Sequence, residues 1–490
     1  GSDYSHSVGY EYDDINNLTK LVETINGVEH STSYTYDEDN RIEAVSKGNT
    51  SKEYVYDSFG RIDTLTTKNG NTTVKTDSFD FKEHKTETAQ TTGQVATHTI
   101  EYGNTTKQYS YTYDDNGNIT QIKEGNNIVV QYSYDTANQL IREDNNVGGF
   151  THVWTYDNAG NILSRKEYTY SDTAALGTLQ KTVSYTYDTT SGWGDRLISY
   201  DGKTISYETV SSGYISGNIK SDGTWTYNWE HGRQLESMSN GSTTWSFTYN
   251  ADGLRTERDN GTTTYQYVYN GGSLSQMTVG TTTLYFTYDA SGTPMSVVYD
   301  SNNTDTNPGI TYYYVTNIQG DVIGITNQSG QPVVQYLYNA WGVHLETTGT
   351  MASTLGQLNP LRYRGYVYDT ETELYYLQSR YYDSEICKII LSKKEIEYAP
   401  LSIEELTSLL ESANNNLGGI IDKLNLQYPQ LDKDDMCLIC LILLHINKSG
   451  LPYLLNRSRK NIWERTKRIK TIMNIGEKED LFLFIKINLL

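Results

Sequence analysis

Tyr111-Thr112-Tyr113-Asp114-Asp115-Asn116-Gly117-Asn118-Ile119 holds a complete structural unit. Side chains alternate across a strand with period two, so Tyr111 and Tyr113 share one face. Asp114 is suited to cap a tight turn through its own backbone, Gly117 supplies positive φ, and Ile119 starts the returning strand. The pattern aromatic-x-Tyr-Asp/Asn-x-x-Gly/Asn-x-Leu/Ile returns throughout the first four fifths of the chain. It reads Tyr34-Thr35-Tyr36-Asp37, Tyr54-Val55-Tyr56-Asp57 with Gly60-Arg61-Ile62, and Trp154-Thr155-Tyr156-Asp157 with Gly160-Asn161-Ile162. Later it reads Phe247 to Asn250 with Gly253-Leu254, then Phe286 to Asp289, and Tyr336 to Asn339. Tyr36 to Tyr56 is 20 residues and Tyr113 to Tyr134 is 21. One hairpin cannot bury its apolar face alone, so the copies are expected to stack sideways into a long antiparallel sheet.

Composition agrees. Among 490 residues Tyr is 44 against 8 Phe, and Gly is 40 against 7 Pro. The net charge is −21, unevenly spread. Residues 1–385 carry 24 basic and 47 acidic side chains, while 386–490 carry 15 and 13, which places a domain boundary near residue 386. Cys387, Cys437 and Cys440 all fall after that boundary, so no disulfide framework holds the repeats. The acidic repeat region is a poor partner for nucleic acid. No run of about 18 apolar residues exists to form a spanning helix. No signal peptide is read, and Gly1-Ser2-Asp3 looks like a cloning remnant ahead of a fragment. The regularly spaced tyrosines read as core and wall and the repeated aspartates as turn caps; one carboxylate per turn is too few for calcium. No metal site and no cofactor are expected.

The run Asn359-Pro360-Leu361-Arg362-Tyr363-Arg364-Gly365-Tyr366, followed by Tyr375-Tyr376-Leu377-Gln378-Ser379-Arg380-Tyr381-Tyr382-Asp383, resembles the closing motif of bacterial Rhs/YD-repeat proteins. Trp193-Gly194-Asp195-Arg196-Leu197, Tyr200-Asp201-Gly202 and Gly232-Arg233-Gln234-Leu235 are similar to that family too, and the resemblance covers roughly residues 5–390. It implies a spiral antiparallel β-sheet shell (a β-solenoid-like barrel, shared with Tc-toxin cocoons and teneurins) over residues 1–390, closed by 359–383. It further implies a bacterial protein, secreted or at the cell surface, carrying a variable C-terminal toxin with an immunity protein as its partner. In many members an aspartyl autoprotease site just past the core frees that tip. Here the expected Asp-Pro-x-x-Gly-Arg-Phe is replaced by Asp383-Ser384-Glu385-Ile386-Cys387-Lys388. Two carboxylates acting as acid and base must share a site. Only Asp383 stays in register, so no autoproteolysis is expected, and Arg380 and Asp383 are the sole catalytic candidates. Their alternative reading is an ion pair closing the last hairpin.

Residues 391–490 change texture to Leu, Ile, Lys and Asn at helical spacing and are expected to form a small all-α domain. Ser402 with Glu405 has the signature of a helix start. Met436 to Ile446 is apolar but too short to cross a bilayer. His445 and Cys437-x-x-Cys440 within it read as core. Residues 451–473 resemble the helix-turn-helix end of LuxR/GerE-type regulators of Bacteroidetes, a likeness covering about 415–485. It implies contacts to duplex DNA from Arg459, Lys460, Arg465, Lys467, Arg468 and Lys470. The bland alternative is a solvated basic face making an intramolecular contact with the acidic shell. Three functions stay open: a shell that houses or carries an effector tip, a repeat region fused to a DNA-binding domain, and an extracellular adhesin whose aromatic strand faces stack on sugars.

Overall fold

A computed structural model describes residues 5–84, 90–190, 194–209, 215–232, 234–302 and 309–389. The chain divides into two compact units between Ser392 and Lys393, and all described residues belong to the first. The expected tail helices, including 451–473 and its six basic residues, lie outside the described residues.

Each repeat folds for a local reason. In the turn after Tyr113 the backbone N–H of Gly117 donates to the Asp114 carbonyl at 3.2 Å, and the Asp114 N–H donates to the Asn118 carbonyl at 3.0 Å. Gly117 sits at φ +87°, and the register slips by one residue between Ile119 and Gln121. This is a type I turn followed by a left-handed residue and a bulge. Asn40 and Asn138 take the left-handed position in their own turns, at φ 63° and 62°. The Asp114 side chain completes the unit, since Oδ1 accepts the N–H groups of Asn116 and Asn118 at 2.9 and 2.8 Å. The same bracket is made by Asp37, Asp57, Asp135, Asp157 and Asp289, and by Asn250, Asn317, Asn327 and Asn339.

The second tyrosine of the unit spans neighbouring hairpins. Tyr134 donates its hydroxyl to the Ile119 carbonyl at 2.9 Å, the residue that opens the previous return strand. Tyr36 reaches Leu18, Tyr56 reaches Ile42, Tyr156 reaches Leu140, Tyr249 reaches Leu235, Tyr288 reaches Leu274 and Tyr338 reaches Val322 in the same way. That carbonyl is left free by the bulge, so the phenol supplies the missing donor. Tyr12, exposed on the first strand, makes no such bond among the described residues.

Strands pair antiparallel with their sequence neighbours, giving a sheet of 17 strands from His6 to Thr204 and one of 14 strands from Ser206 to Thr348. A small sheet of four strands, Val367–Asp369, Leu374–Tyr376, Tyr381–Asp383 and Lys388–Ile389, follows. One core cluster runs from Trp154 through Tyr227, Trp245 and Phe286 to Tyr376 and Tyr381, so the later strands of the first sheet share their interior with the second and with the closing residues. Further back, turns of the second sheet rest on the first. The Ala290 N–H donates to the Tyr54 hydroxyl at 3.3 Å, and the Ala340 N–H donates to Glu143 Oε1 at 3.1 Å. Among the described residues the α-helical content is Leu355–Leu358, which packs against the last two strands of the second sheet.

If the phenol latch holds neighbouring hairpins, Tyr134→Phe lowers the stability of the first unit by about 1 kcal/mol in chemical denaturation, while Tyr12→Phe leaves it unchanged.

Candidate functional site at the closing motif

The closing residues are held by arginines that sequence reading passed over. Arg255, on the strand Arg255–Asp259, has its side chain wholly buried. Its guanidinium makes a two-pronged pair with Asp369, Nη1 to Oδ2 at 2.6 Å and Nη2 to Oδ1 at 2.8 Å. The rings of Tyr376 and Tyr267 lie against it, 4.5 and 4.9 Å from the guanidinium carbon. Three residues on, Arg258 binds Glu371 at 2.7 Å, and Tyr265 donates to the other Glu371 oxygen at 2.6 Å. Burial alone would raise the Asp369 carboxyl, but Arg255 and Arg258 hold it below its ordinary value. Within the motif, buried Arg362 lies between the rings of Tyr336 and Tyr368, at 4.8 and 4.7 Å, and donates to the Gly356 and Asn359 carbonyls.

Three tyrosines of the motif grip one turn. Tyr363, Tyr382 and Tyr375 donate to the carbonyls of Ala340, Trp341 and Gly342 at 3.0, 2.8 and 2.7 Å. Gly342 has φ +84°, and a Cβ there would stand 2.4 Å from the Tyr363 ring, so both conformation and space demand glycine.

Asp383 and Arg380, the two candidates from sequence, are not brought together. Arg380 ends the loop before the strand Tyr381–Asp383 and makes no ion pair with Asp383 among the described residues. The expected ion pair gives way to a turn cap, because the flanking turn presents amides to be satisfied. Asp383 Oδ1 accepts the N–H groups of Glu385 and Ile386 at 2.9 and 3.2 Å. Burial, with Asp222 nearby adding to it, pushes the Asp383 carboxyl up to about 7 against the pull of those two amides. Asp222 is itself occupied: Oδ1 accepts the amides of Thr224 and Trp225, and Oδ2 accepts the Tyr227 hydroxyl at 2.5 Å. Glu385 reaches the first sheet, pairing with Arg165 at 2.9 Å, while its carbonyl accepts from Tyr200 at 3.2 Å. Chemically the arrangement anchors the last described strands to both sheets. Among the described residues no group of three or more His, Cys, Asp or Glu is placed to hold a metal.

The missed residues had a faint signal. Tyr366-Val367-Tyr368-Asp369 is one more copy of the repeat, but its aspartate faces an arginine from 114 residues away, which no local pattern encodes.

Asp369→Asn leaves the Arg255 cation buried and is expected to cost about 3–5 kcal/mol in denaturant unfolding, whereas the double change Arg255→Met with Asp369→Leu recovers most of that loss. Asp383 carries the opposite sign. Its folded-state carboxyl stays protonated to about pH 7, above the unfolded value, so the stability it contributes is complete below about pH 4 and is lost as pH rises through about 7. Asp383→Asn keeps the acceptor without the charge, and should raise stability by roughly 1–3 kcal/mol at pH 8 and by little at pH 4.

The family model RHS Repeat matches residues 113–151. The tRNA3(Ser)-specific nuclease WapA of Bacillus spizizenii is 31% identical over 340 residues, covering 58% of this chain and 13% of WapA. The tRNA nuclease WapA of Bacillus subtilis strain 168 is 30% identical over 343 residues with the same two coverages. The chain thus spans a small part of the curated relatives it matches. Among solved structures, the complex TcdB2-TccC3-Cdc42 is similar with a TM-score of 0.53 at 15% identity, covering 79% of this chain and 22% of that one. The Photorhabdus luminescens Tc holotoxin pore gives a TM-score of 0.52 at 15% identity, with the same coverages. Residues 113–151 thus match the Rhs repeat, and the mainly antiparallel fold of the described residues is similar to the β-shell of the Tc toxins.

Proposed function

We propose that this chain is the closing end of a secreted or surface-exposed bacterial polymorphic toxin of the Rhs type, whose β-shell carries residues 391–490 as its effector tip. The observation that supports it is the anchoring of the closing motif: a bidentate buried ion pair, three tyrosines on one turn and the Glu385–Arg165 pair fix the chain up to Ile389. A shell that ends in so strongly held an exit suits a variable passenger. The curated relatives are tRNA nucleases by name. Residues 391–490 offer no comparable catalytic set in sequence, so the tip proposed here is an effector without evident hydrolytic chemistry, countered by a cognate immunity protein. Expression of the full chain in a bacterial host is expected to arrest growth, and the chain ending at Ile389 is expected to leave growth untouched. Equal growth of both removes the effector reading.

A second reading has its own observation, the seven basic and one acidic residues of 457–470. On it the tail binds duplex DNA through Arg459, Lys460, Arg465, Lys467, Arg468 and Lys470. Affinity of the full chain for a random duplex should then fall steeply between 50 and 200 mM salt, by about 10³-fold or more for six phosphate contacts. No binding at 50 mM salt discards it.

A further inference from the structure

Asp289 departs from the other repeat aspartates in one respect. In most turns the second carboxylate oxygen is satisfied by the side chain four residues on: Arg41 serves Asp37, Arg61 serves Asp57, Asn118 serves Asp114, Gln139 serves Asp135 and Asn161 serves Asp157. At Asp289 that position is Thr293, whose backbone N–H joins the bracket on Oδ1. Oδ2 is taken instead by Lys52 Nζ, 2.7 Å away, from the first sheet and 237 residues distant in sequence. Both side chains are about 95% buried, at 5% and 4% exposure. Tyr54, two residues along the Lys52 strand, accepts the neighbouring Ala290 N–H at 3.3 Å and fixes the turn against that strand.

We infer that Lys52 and Asp289 condense to an intramolecular isopeptide bond joining the first sheet to the second. The reaction needs an amine held against a carboxyl carbon, a stabilised oxyanion and exclusion of water, and the site offers each. Lys52 Nζ is held 2.7 Å from Asp289 Oδ2, next to the carboxyl carbon, by two paired sheets, which replaces a bimolecular encounter by a high effective concentration. Asp289 Oδ1, where negative charge collects in the tetrahedral intermediate, accepts three donors: the N–H groups of Ser291 and Thr293 at 3.0 Å each and the Ser291 hydroxyl at 2.7 Å. Burial opposes ionisation of Asp289, but Lys52 beside it overrides that, so the reactants meet as an ion pair. An ion pair and a neutral amine–acid pair hold the same number of protons, and a low dielectric narrows the gap between them.

The step balances without a co-reactant. One proton passes from Nζ to Oδ2, and the nitrogen lone pair forms the bond to Cγ. The Cγ–Oδ2 bond then breaks, a second nitrogen proton leaves with Oδ2, and one water departs from an amide that keeps one N–H. The product retains all three donors on Oδ1 and removes two buried charges from a crowded interior. On the same face, Lys52 pairs in register with Thr67 and Thr67 with Lys75. The Thr67 hydroxyl is buried without a hydrogen-bond partner, and Lys75 contacts Asp77 at 2.7 Å, with His98 on the other Asp77 oxygen at 3.1 Å.

Intact-mass measurement of the purified full chain under denaturing conditions tests this directly. The expected mass lies one water, about 18 Da, below that of the sequence, and a protease digest yields a branched peptide joining Lys52 to Asp289. Lys52→Arg should restore the sequence mass. Asp289→Asn, which condenses with loss of ammonia, should lie about 17 Da below its own sequence mass. A wild-type mass equal to the sequence, with Lys52 and Asp289 recovered in separate linear peptides, overturns the proposal. So does a loss of water that maps to any other residue.

Discussion

A hairpin turn that reverses the chain in three residues strands two backbone amides, at the second and fourth positions after its first residue, where no strand can accept from them. One side-chain oxygen on that first residue answers both. Asp37, Asp57, Asp114, Asp135 and Asp157 do so with a carboxylate, and Asn250, Asn317, Asn327 and Asn339 with an amide. The turn therefore needs the oxygen and not the charge. Charge has its own consequence. Side-chain and backbone bonds from Arg41 hold the Asp37 carboxyl below its ordinary value, and those from Asn118 do the same for Asp114. These groups stay ionised through neutral pH and contribute to the −23 of residues 1–385. A turn built this way recurs readily, since one short polar side chain satisfies both amides within the turn itself.

The bulge that follows the turn decides what stacking can do. At Tyr56, Tyr134, Tyr156, Tyr249 and Tyr288 the ladder slips by one residue, adding local twist and exposing one carbonyl of the neighbouring hairpin. The phenol of the same tyrosine type then reaches across to close it. Turn, bulge and latch are thus one device, and tyrosine outnumbers phenylalanine because the ring must be apolar along the strand and a donor at its tip.

Much of this was legible. Tyr-x-Tyr-Asp with Gly or Asn three residues on gave strand, cap and left-handed position, because all three are local. The latch was not, since Tyr134 finds its partner 15 residues back only after the bulge has turned a carbonyl outward. Arg255, Arg258 and Lys52 were also unreadable, as their partners Asp369, Glu371 and Asp289 lie more than 100 residues away and are chosen by packing. At the candidate site the sequence offered an ion pair between Arg380 and Asp383, whereas Asp383 caps the turn that follows it. Arg380 stands three residues before Asp383, but the amides of the following turn are nearer and take its oxygen.

Asp383 also shows why register alone does not make chemistry. An acid–base carboxyl pair must exchange a proton through oxygens free to face each other and a substrate bond between them. Asp383 spends Oδ1 on two amides, and Asp222, the carboxylate that raises it, spends both oxygens on two amides and a phenol. Each oxygen committed to a fixed donor is one less available to polarise a peptide carbonyl or to hold a water. What remains is a buried acid that favours its neutral form and grips the turn leading to Glu385 and Arg165. In the segment after Asp383, Cys387 lies in the left-handed region at φ 55°, so the local chain follows a path set by this turn.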